Sequence, residues 1–302
     1  MRFLITGGSG LIGSRLVNLL SRRHDVHFSF LSHPSFQNEC NSYKLDITQR
    51  ESTITLITKL KPDIIIHTSA LTNVDLCETN RQLADLINVQ GTTNVVDGCM
   101  KIDCKIIYIS TSNVFDGKKT VFLEDDKPNT INYYGFTKLA GERIVTNSNL
   151  PFLILRTDHP YSWAEKWQRK SFVNWITKKL EEKKTIEVFS DWYNNPTFLD
   201  DFIDITAELI KREKNGIYHV VGPNYISRYK WALYIAKMIG VDPDLISPAK
   251  SNQSELPARR ANANLSNSKV QKETGKRLLG VDEGLKLMQK LITNHKSKVD
   301  LC

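Results

Sequence analysis

Phe3-Leu4-Ile5-Thr6-Gly7-Gly8-Ser9-Gly10-Leu11-Ile12-Gly13 stands at the start of the chain, followed by Ser14-Arg15-Leu16-Val17-Asn18-Leu19-Leu20. An apolar run of strand length leads into glycines at positions 7, 10 and 13 and then into residues of helical period. A strand, a glycine turn and a helix start bring bare backbone N–H groups and the positive end of the helix dipole against a pyrophosphate. Side chains at the glycines would block that approach. A glycine-rich turn also arises merely to reverse a chain, but this one lies in the first strand–helix unit. Lys44-Leu45-Asp46-Ile47 follows at a distance suited to the adenine end. The stretch therefore reads as a dinucleotide site contacted by Gly7, Ser9, Gly10, Leu11, Ile12, Gly13, Asp46 and Ile47.

Outward from this unit, apolar runs of strand length recur at Val26 to Leu31, Ile64 to Thr68, Lys105 to Ser110 and Phe152 to Arg156, with helix-length segments between them. Near-continuous Val/Ile/Leu strands alternating with helices indicate a parallel sheet covered on both faces. The fold class is α/β, a Rossmann-type doubly wound parallel sheet. After Thr157 the pattern loosens. The reading is a dinucleotide-binding domain over residues 1–157 and a smaller substrate-binding lobe over 158–302, some of whose segments return to the main sheet. Helices are expected around Phe172 to Leu180, Ser227 to Gly240 and Ser266 to Lys276, and strands at Ile186 to Phe189 and Ile217 to Val221.

The composition reads as that of an ordinary soluble globular protein: 302 residues, 40% hydrophobic and 25% charged, enough to bury a full core. No apolar run approaches spanning length and the N-terminal one is too short for a secretory leader, so a cytoplasmic location and no membrane partner are expected. The five cysteines (Cys40, Cys77, Cys99, Cys104, Cys302) show no metal-ligand spacing, so reduced thiols and no metal site are expected. A net charge of +8 suits nucleic acid, an acidic membrane or a phosphorylated small substrate. The densest basic stretch, Lys178 to Lys184, is broken by acids and reads as a solvated helix face. No basic stripe with interleaved aromatics is present, which argues against nucleic acid.

Cofactor choice turns on the end of the second strand, where an acid would accept hydrogen bonds from the ribose hydroxyls of NAD. Here the residues are Phe30-Leu31-Ser32-His33. With no acid to repel a 2′-phosphate, NADP(H) is favoured and NAD(H) is the alternative. Ser32 and His33 are the candidate contacts, and an ordinary polar turn before Pro34 is the competing reading.

Tyr134-Gly135-Phe136-Thr137-Lys138 places Tyr and Lys on one helical face. Hydride delivery to a carbonyl carbon leaves charge on oxygen, which calls for a proton donor; a nearby ammonium lowers the pKa of a phenol and suits it to that task. A hydroxyl at a strand end would orient the substrate, and Ser110, Thr111 and Ser112 are candidates.

With these residues in place, the sequence resembles an extended short-chain dehydrogenase/reductase, and most closely the dTDP-4-dehydrorhamnose reductase family. The resemblance covers nearly the whole chain. It rests on Thr6 to Gly13, Lys61 to Ala70 with Val74-Asp75, Ile87-Asn88-Val89, Ser110-Thr111 through Gly117, and Tyr133 to Glu142. It implies Thr111 as the orienting hydroxyl, Tyr134 as proton donor, and Lys138 as its partner and ribose anchor, with Ser69 and Ala70 at the cofactor. Leu155-Arg156-Thr157, Asn195-Pro196-Thr197 and Arg259-Arg260 resemble the substrate-side segments. Ser112, Asn113, His159, Asn195, Arg259 and Arg260 are then the implied substrate contacts, the arginines suiting a diphosphate unless they are surface residues of a loop.

Two departures border the pocket. Ser112-Asn113 stands where the family has Asp-Tyr, and Asp158-His159-Pro160-Tyr161 stands where it has Ser-Trp-Val-Tyr. The implied activity is NADPH-dependent reduction of a nucleotide-linked 4-keto-6-deoxy sugar, as in dTDP-rhamnose biosynthesis, with a homodimer admitted. The alternatives are a sugar-nucleotide epimerase or dehydratase with bound NAD, and a non-catalytic partner resembling the regulatory beta subunit of methionine adenosyltransferase.

Overall fold

The computed structural model describes residues 1–34, 41–252 and 255–299; Cys40 and Cys302 lie outside them. The first half alternates strand and helix: β1 (Arg2–Thr6), α1 (Leu11–Leu20), β2 (Asp25–Phe30), β3 (Asn41–Lys44), α2 (Arg50–Leu60) and β4 (Ile64–His67). Then come α3 (Val74–Thr79), α4 (Arg81–Ala84), a π-helical turn (Asp85–Gln90), α5 (Gly91–Ile102), β5 (Lys105–Thr111), α6 (Tyr133–Thr146) and β6 (Phe152–Thr157).

Seven strands form one sheet in the order Gly216–His219, β6, β5, β4, β1, β2, β3, every neighbouring pair parallel. From β1 the chain winds outward through β2 and β3. It then returns to the other side of β1 and winds through β4, β5 and β6. The order reverses between β1 and β4, and the crevice beyond the carboxyl ends of those two strands is where such sheets bind ligands.

Successive side chains of a strand point to opposite faces, and both faces are buried here. Phe3, Ile5, Ile66, Ile107 and Leu155 join α1 residues Leu16 and Val17 on one side. Leu4, Ile65, Ile106 and Tyr108 join α5 residues Val95 and Cys99 on the other. This is why the strands read as continuous apolar runs rather than alternating ones.

The second half does not stay apart from the first. Helix Leu199–Lys211 packs Phe202 and Leu209 into the α1 side of the main core, and the strand Gly216–His219 extends the sheet beyond β6. Between these excursions, helices Phe172–Glu181 and Arg228–Ile239 build a second core around Tyr161, Val173, Ile176, Trp231 and Ile235. Among the described residues, no helix is long and apolar enough to cross a membrane.

A buried ion pair ties the carboxyl ends of β5 and β6 to α6. Arg156 of β6 donates to both carboxylate oxygens of Glu142 on α6 at 2.9 and 2.7 Å, and Ser110 of β5 donates to the same carboxylate at 2.6 Å. Removing one partner would leave an uncompensated buried charge, a cost of about 3–5 kcal/mol. Arg156 and Ser110, expected at the ligand, are thus part of this internal brace.

Candidate active site

The glycine turn bends away from β1 at Gly7, whose φ of +69° lies in the left-handed region. A Cβ there would meet Ser69 Oγ at 2.9 Å, so the turn lies directly against the residues that follow β4. A Cβ on Gly13 would stand 2.3 Å from the Gly7 carbonyl oxygen, so this glycine lets α1 start hard against the turn. Gly10 is exposed and caps α1 with no side-chain hydrogen bond, which leaves the N–H groups of the first helical turn without a capping side chain. Leu11 and Ile12 begin that helix and pack on the sheet. Bare amides, a tight glycine turn and Ser69 beside it fit the pyrophosphate of a dinucleotide.

Other expected cofactor contacts sit less directly. Ser32 and His33 are exposed beyond β2, their side chains 3.0 Å apart. Asp46 accepts from the Thr48 N–H and hydroxyl at 2.9 and 2.8 Å, closing a turn, and Ile47 is buried against Gly91. Ala70 is half-buried in the loop after β4, where Asn88 of the π-helical turn binds both polar groups of the Leu71 backbone.

Tyr134 and Lys138 lie on the buried face of α6. Asn132 caps this helix, its Oδ1 accepting the Gly135 N–H at 2.8 Å. A Cβ on Gly135 would fall 2.1 Å from the Asn113 carbonyl oxygen, so the helix start is set against the end of β5. Thr111, at that strand end, is the hydroxyl that bears on the Tyr134 side chain. Burial pushes the Tyr134 phenol up to about 12, and the Thr111 hydroxyl works against that rise. Burial also pushes the Lys138 ammonium down to about 7, offset in part by Glu142, while its Nζ rests 3.9 Å from the centre of the Tyr108 ring.

The substrate-side residues split. Ser112 donates to Asp158 Oδ1 at 2.8 Å, and the Asn195 N–H reaches Asp158 Oδ2 at 2.7 Å. Burial pushes the Asp158 carboxyl up to about 6 despite those two donors. His159 adopts a φ of +40°, uncommon for a residue with a side chain, and its Nε2 lies 2.5 Å from Arg228 Nη2. Burial and the guanidinium groups of Arg228, Arg169 and Arg260 hold His159 well below the usual imidazole range, in its neutral form. Asn113 turns its amide to Thr111 and Asn132.

Asn195, expected at the substrate, is 1% exposed, and its side chain joins Gly222, Asn264 and Leu265 within the protein. Arg260 is engaged at both oxygens of Asp75, each at 2.7 Å. Arg259 is exposed and contributes its carbonyl to Asn132.

Reasoning from sequence missed Asp158, Arg228 and the segment Trp167 to Arg169. Arg228 is buried between the rings of Trp192 and Phe172, 4.4 and 4.5 Å from their centres, and donates to Asn194 Oδ1 at 2.7 Å. Its one visible signal is a cation in the first turn of a helix, where the dipole disfavours it. From the smaller lobe, Trp167 and Gln168 both donate to the Ser9 carbonyl, at 3.3 and 3.0 Å, and Arg169 reaches Thr72 at 2.7 Å. These contacts cross the crevice, and nothing in their local sequence marks them.

Residues 1–293 match the family model described as the RmlD substrate binding domain. The chain is 30% identical over 264 residues to the probable low-salt glycan biosynthesis reductase Agl14 of Haloferax volcanii, spanning 86% of this chain and 87% of that protein. It is 28% identical over 281 residues to methionine adenosyltransferase 2 subunit beta of Xenopus tropicalis, spanning 90% and 82%. The crystal structure of dTDP-4-dehydrorhamnose reductase from Bacillus anthracis in complex with NADP superposes with a TM-score of 0.85 at 27% identity, over 95% of this chain and 98% of that one. With its crevice, its Tyr134/Lys138 helix and this match over nearly its whole length, the chain belongs to the RmlD substrate-binding domain family.

Proposed function

We propose that this oxidoreductase reduces the 4-keto group of a nucleotide-linked 6-deoxy sugar with NADPH, Tyr134 supplying the proton. What supports the reading is that Thr111 ends β5 while Tyr134 and Lys138 share the buried face of α6, whose start is set against that strand end. NADPH bound in the crevice would supply the hydride. Gly7, Ser9, Gly10 and the start of α1 would hold its pyrophosphate, and Lys138 the adjoining ribose. No acid stands among Leu31 to Pro34 to oppose a 2′-phosphate.

As the carbonyl is reduced, charge grows on its oxygen and the Tyr134 hydroxyl gives up its proton to it. The Lys138 ammonium and the Thr111 hydroxyl stabilise the resulting phenolate, and burial strengthens both effects. Ser112, held by Asp158, and neutral His159, held by Arg228, border the space for the sugar. Their identity distinguishes this pocket from one with the family's Asp-Tyr and Ser-Trp pairs.

The test is sugar-dependent oxidation of NADPH and NADH by the purified protein, with dTDP-4-dehydrorhamnose as the trial substrate. Turnover is expected, faster with NADPH, and Tyr134→Phe is expected to lower kcat about 10²–10⁴-fold. Absence of turnover with clear NADPH binding would contradict the reading. A stable enzyme partner recovered in that case would favour the role named for the methionine adenosyltransferase subunit.

A further inference from the structure

Lys138 is only 3% exposed, and the carboxylate best placed to pair with it is engaged elsewhere. Glu142 stands four positions on, the spacing at which a helix sets a carboxylate beside an ammonium. Its Oε1 instead accepts from Ser110 at 2.6 Å and from Arg156 Nε at 2.9 Å, and its Oε2 from Arg156 Nη2 at 2.7 Å. Among the described residues, no hydrogen bond or ion pair reaches Lys138 Nζ.

What meets the ammonium is a ring. Lys138 Nζ lies 3.9 Å from the centre of the Tyr108 ring, well inside the distance of about 6 Å over which an aromatic face attracts a cation. Tyr108 sits in β5 on the face that carries Ser110, and it is fully buried. Its phenol end is fixed against α6: a Cβ on Gly141 would stand 2.0 Å from Tyr108 Oη, and the hydroxyl donates to the Lys138 carbonyl at 3.5 Å. The His67 ring of β4 lies alongside, ring centres 5.8 Å apart, and is itself held by Thr6 at 2.7 Å and Thr92 at 3.1 Å.

The titratable groups around Lys138 do not replace the ring. Burial pushes His67 down to about 3, so it is neutral, and pushes the Cys77 thiol of α3 up to about 11. Burial likewise keeps Tyr134 and Tyr108 as phenols. Glu142 and Arg156 are paired with each other.

We propose that Tyr108 is a positioning residue: the face of its ring is the seat of the Lys138 ammonium and holds that cation on the side of α6 that carries Tyr134. That the cation serves a reduction rests on the proposed reductase reading; that the ring seats it does not.

The test changes the charge of the ring face and keeps its shape. Tyr108→Phe retains an aromatic face, while partly and fully fluorinated phenylalanine at the same position progressively remove its negative charge. The first readout is the pH titration of the Lys138 Cε carbon-13 resonance in lysine-labelled protein, assigned by its loss in Lys138→Arg, which needs neither substrate nor cofactor. The second is the pH profile of kcat/KM with NADPH and dTDP-4-dehydrorhamnose.

The midpoint is expected near 7 in wild type and close to it in Tyr108→Phe. It should fall stepwise with fluorination, by about one pH unit or more in the fully fluorinated form. The alkaline fall of kcat/KM is expected to move down by the same interval. A part for Tyr108 in packing alone would leave the midpoint unmoved through the series, and that result would overturn the proposal. If wild-type protein does not turn over the sugar, the functional reading fails, and the lysine resonance still decides whether the ring holds the cation.

Discussion

Lys138 and Asp158 are buried groups whose charge states carry opposite consequences. Lys138 titrates at about 7 in the folded protein because burial penalises its ammonium. If that cation stabilises the Tyr134 phenolate, kcat/KM falls as pH rises through about 7. Lys138→Arg, whose guanidinium keeps its charge, is expected to turn over more slowly but with a flatter profile. A wild-type profile that is level across this range would contradict the role.

For Asp158 the folded-state value is raised, from an ordinary 3.8 to about 6, so the folded protein binds that proton more tightly than the unfolded chain. The stability it contributes is complete below about pH 4 and is lost as pH rises through about 6, a swing on the order of 2–3 kcal/mol. Denaturant unfolding of wild type and Asp158→Asn across this window is expected to show the difference between them changing by that amount. Parallel curves would show that Asp158 does not titrate there.

At this scale, the helical face shared by Tyr134 and Lys138 was legible from their spacing, while the strand end left Ser110, Thr111 and Ser112 open and only the family resemblance singled out Thr111. Asn195, Arg260 and Ser110 were not, because the type of a polar residue does not reveal whether it faces a ligand or a partner. Asp75 lies far from Arg260 in sequence, as Asp158 does from Asn195, and only the tertiary fold brings each pair together.

Elements place these groups through close approaches that only glycine permits. Gly135 lets the start of α6 reach the end of β5, and a methyl group there would overlap the Asn113 carbonyl oxygen at 2.1 Å. Gly135→Ala is expected to cost about 1–3 kcal/mol by urea unfolding and to lower kcat further than that loss explains, since it separates Tyr134 from Thr111. A variant with unchanged kcat would show that the registry of α6 and β5 is not needed. The buried strands β1, β4, β5 and β6 were readable as apolar runs. The edge strand β3, Asn-Ser-Tyr-Lys, carries no such signal because little of it is buried. Helix Leu199–Lys211 was not anticipated either, although its burial in the main core is extensive.

Across the whole molecule, the two lobes meet over the crevice. Arg15 of α1 reaches Ser162 and the Trp163 carbonyl, while Gln168 reaches back to Ser9 and Ser14. The glycine turn and the helix it opens are thus held by both segments. Gln168→Ala removes two of these hydrogen bonds at about 1 kcal/mol each, and is expected to weaken NADPH binding several-fold in a fluorescence titration with kcat little changed. Equal affinity would show that the crossing segment does not brace the turn. The loosening of the pattern after Thr157 could be read, but these crossing contacts could not, since they depend on how segments distant in sequence pack.

The most direct measurement is deuterium transfer from NADPH deuterated at its reactive carbon to dTDP-4-dehydrorhamnose, followed by mass analysis and proton NMR of the product. Wild-type protein should place one deuterium at C4 of the sugar, and Tyr134→Phe should bind the cofactor with similar affinity yet transfer almost none. A product without deuterium at C4, or equal transfer by Tyr134→Phe, would contradict reduction with Tyr134 as the acid.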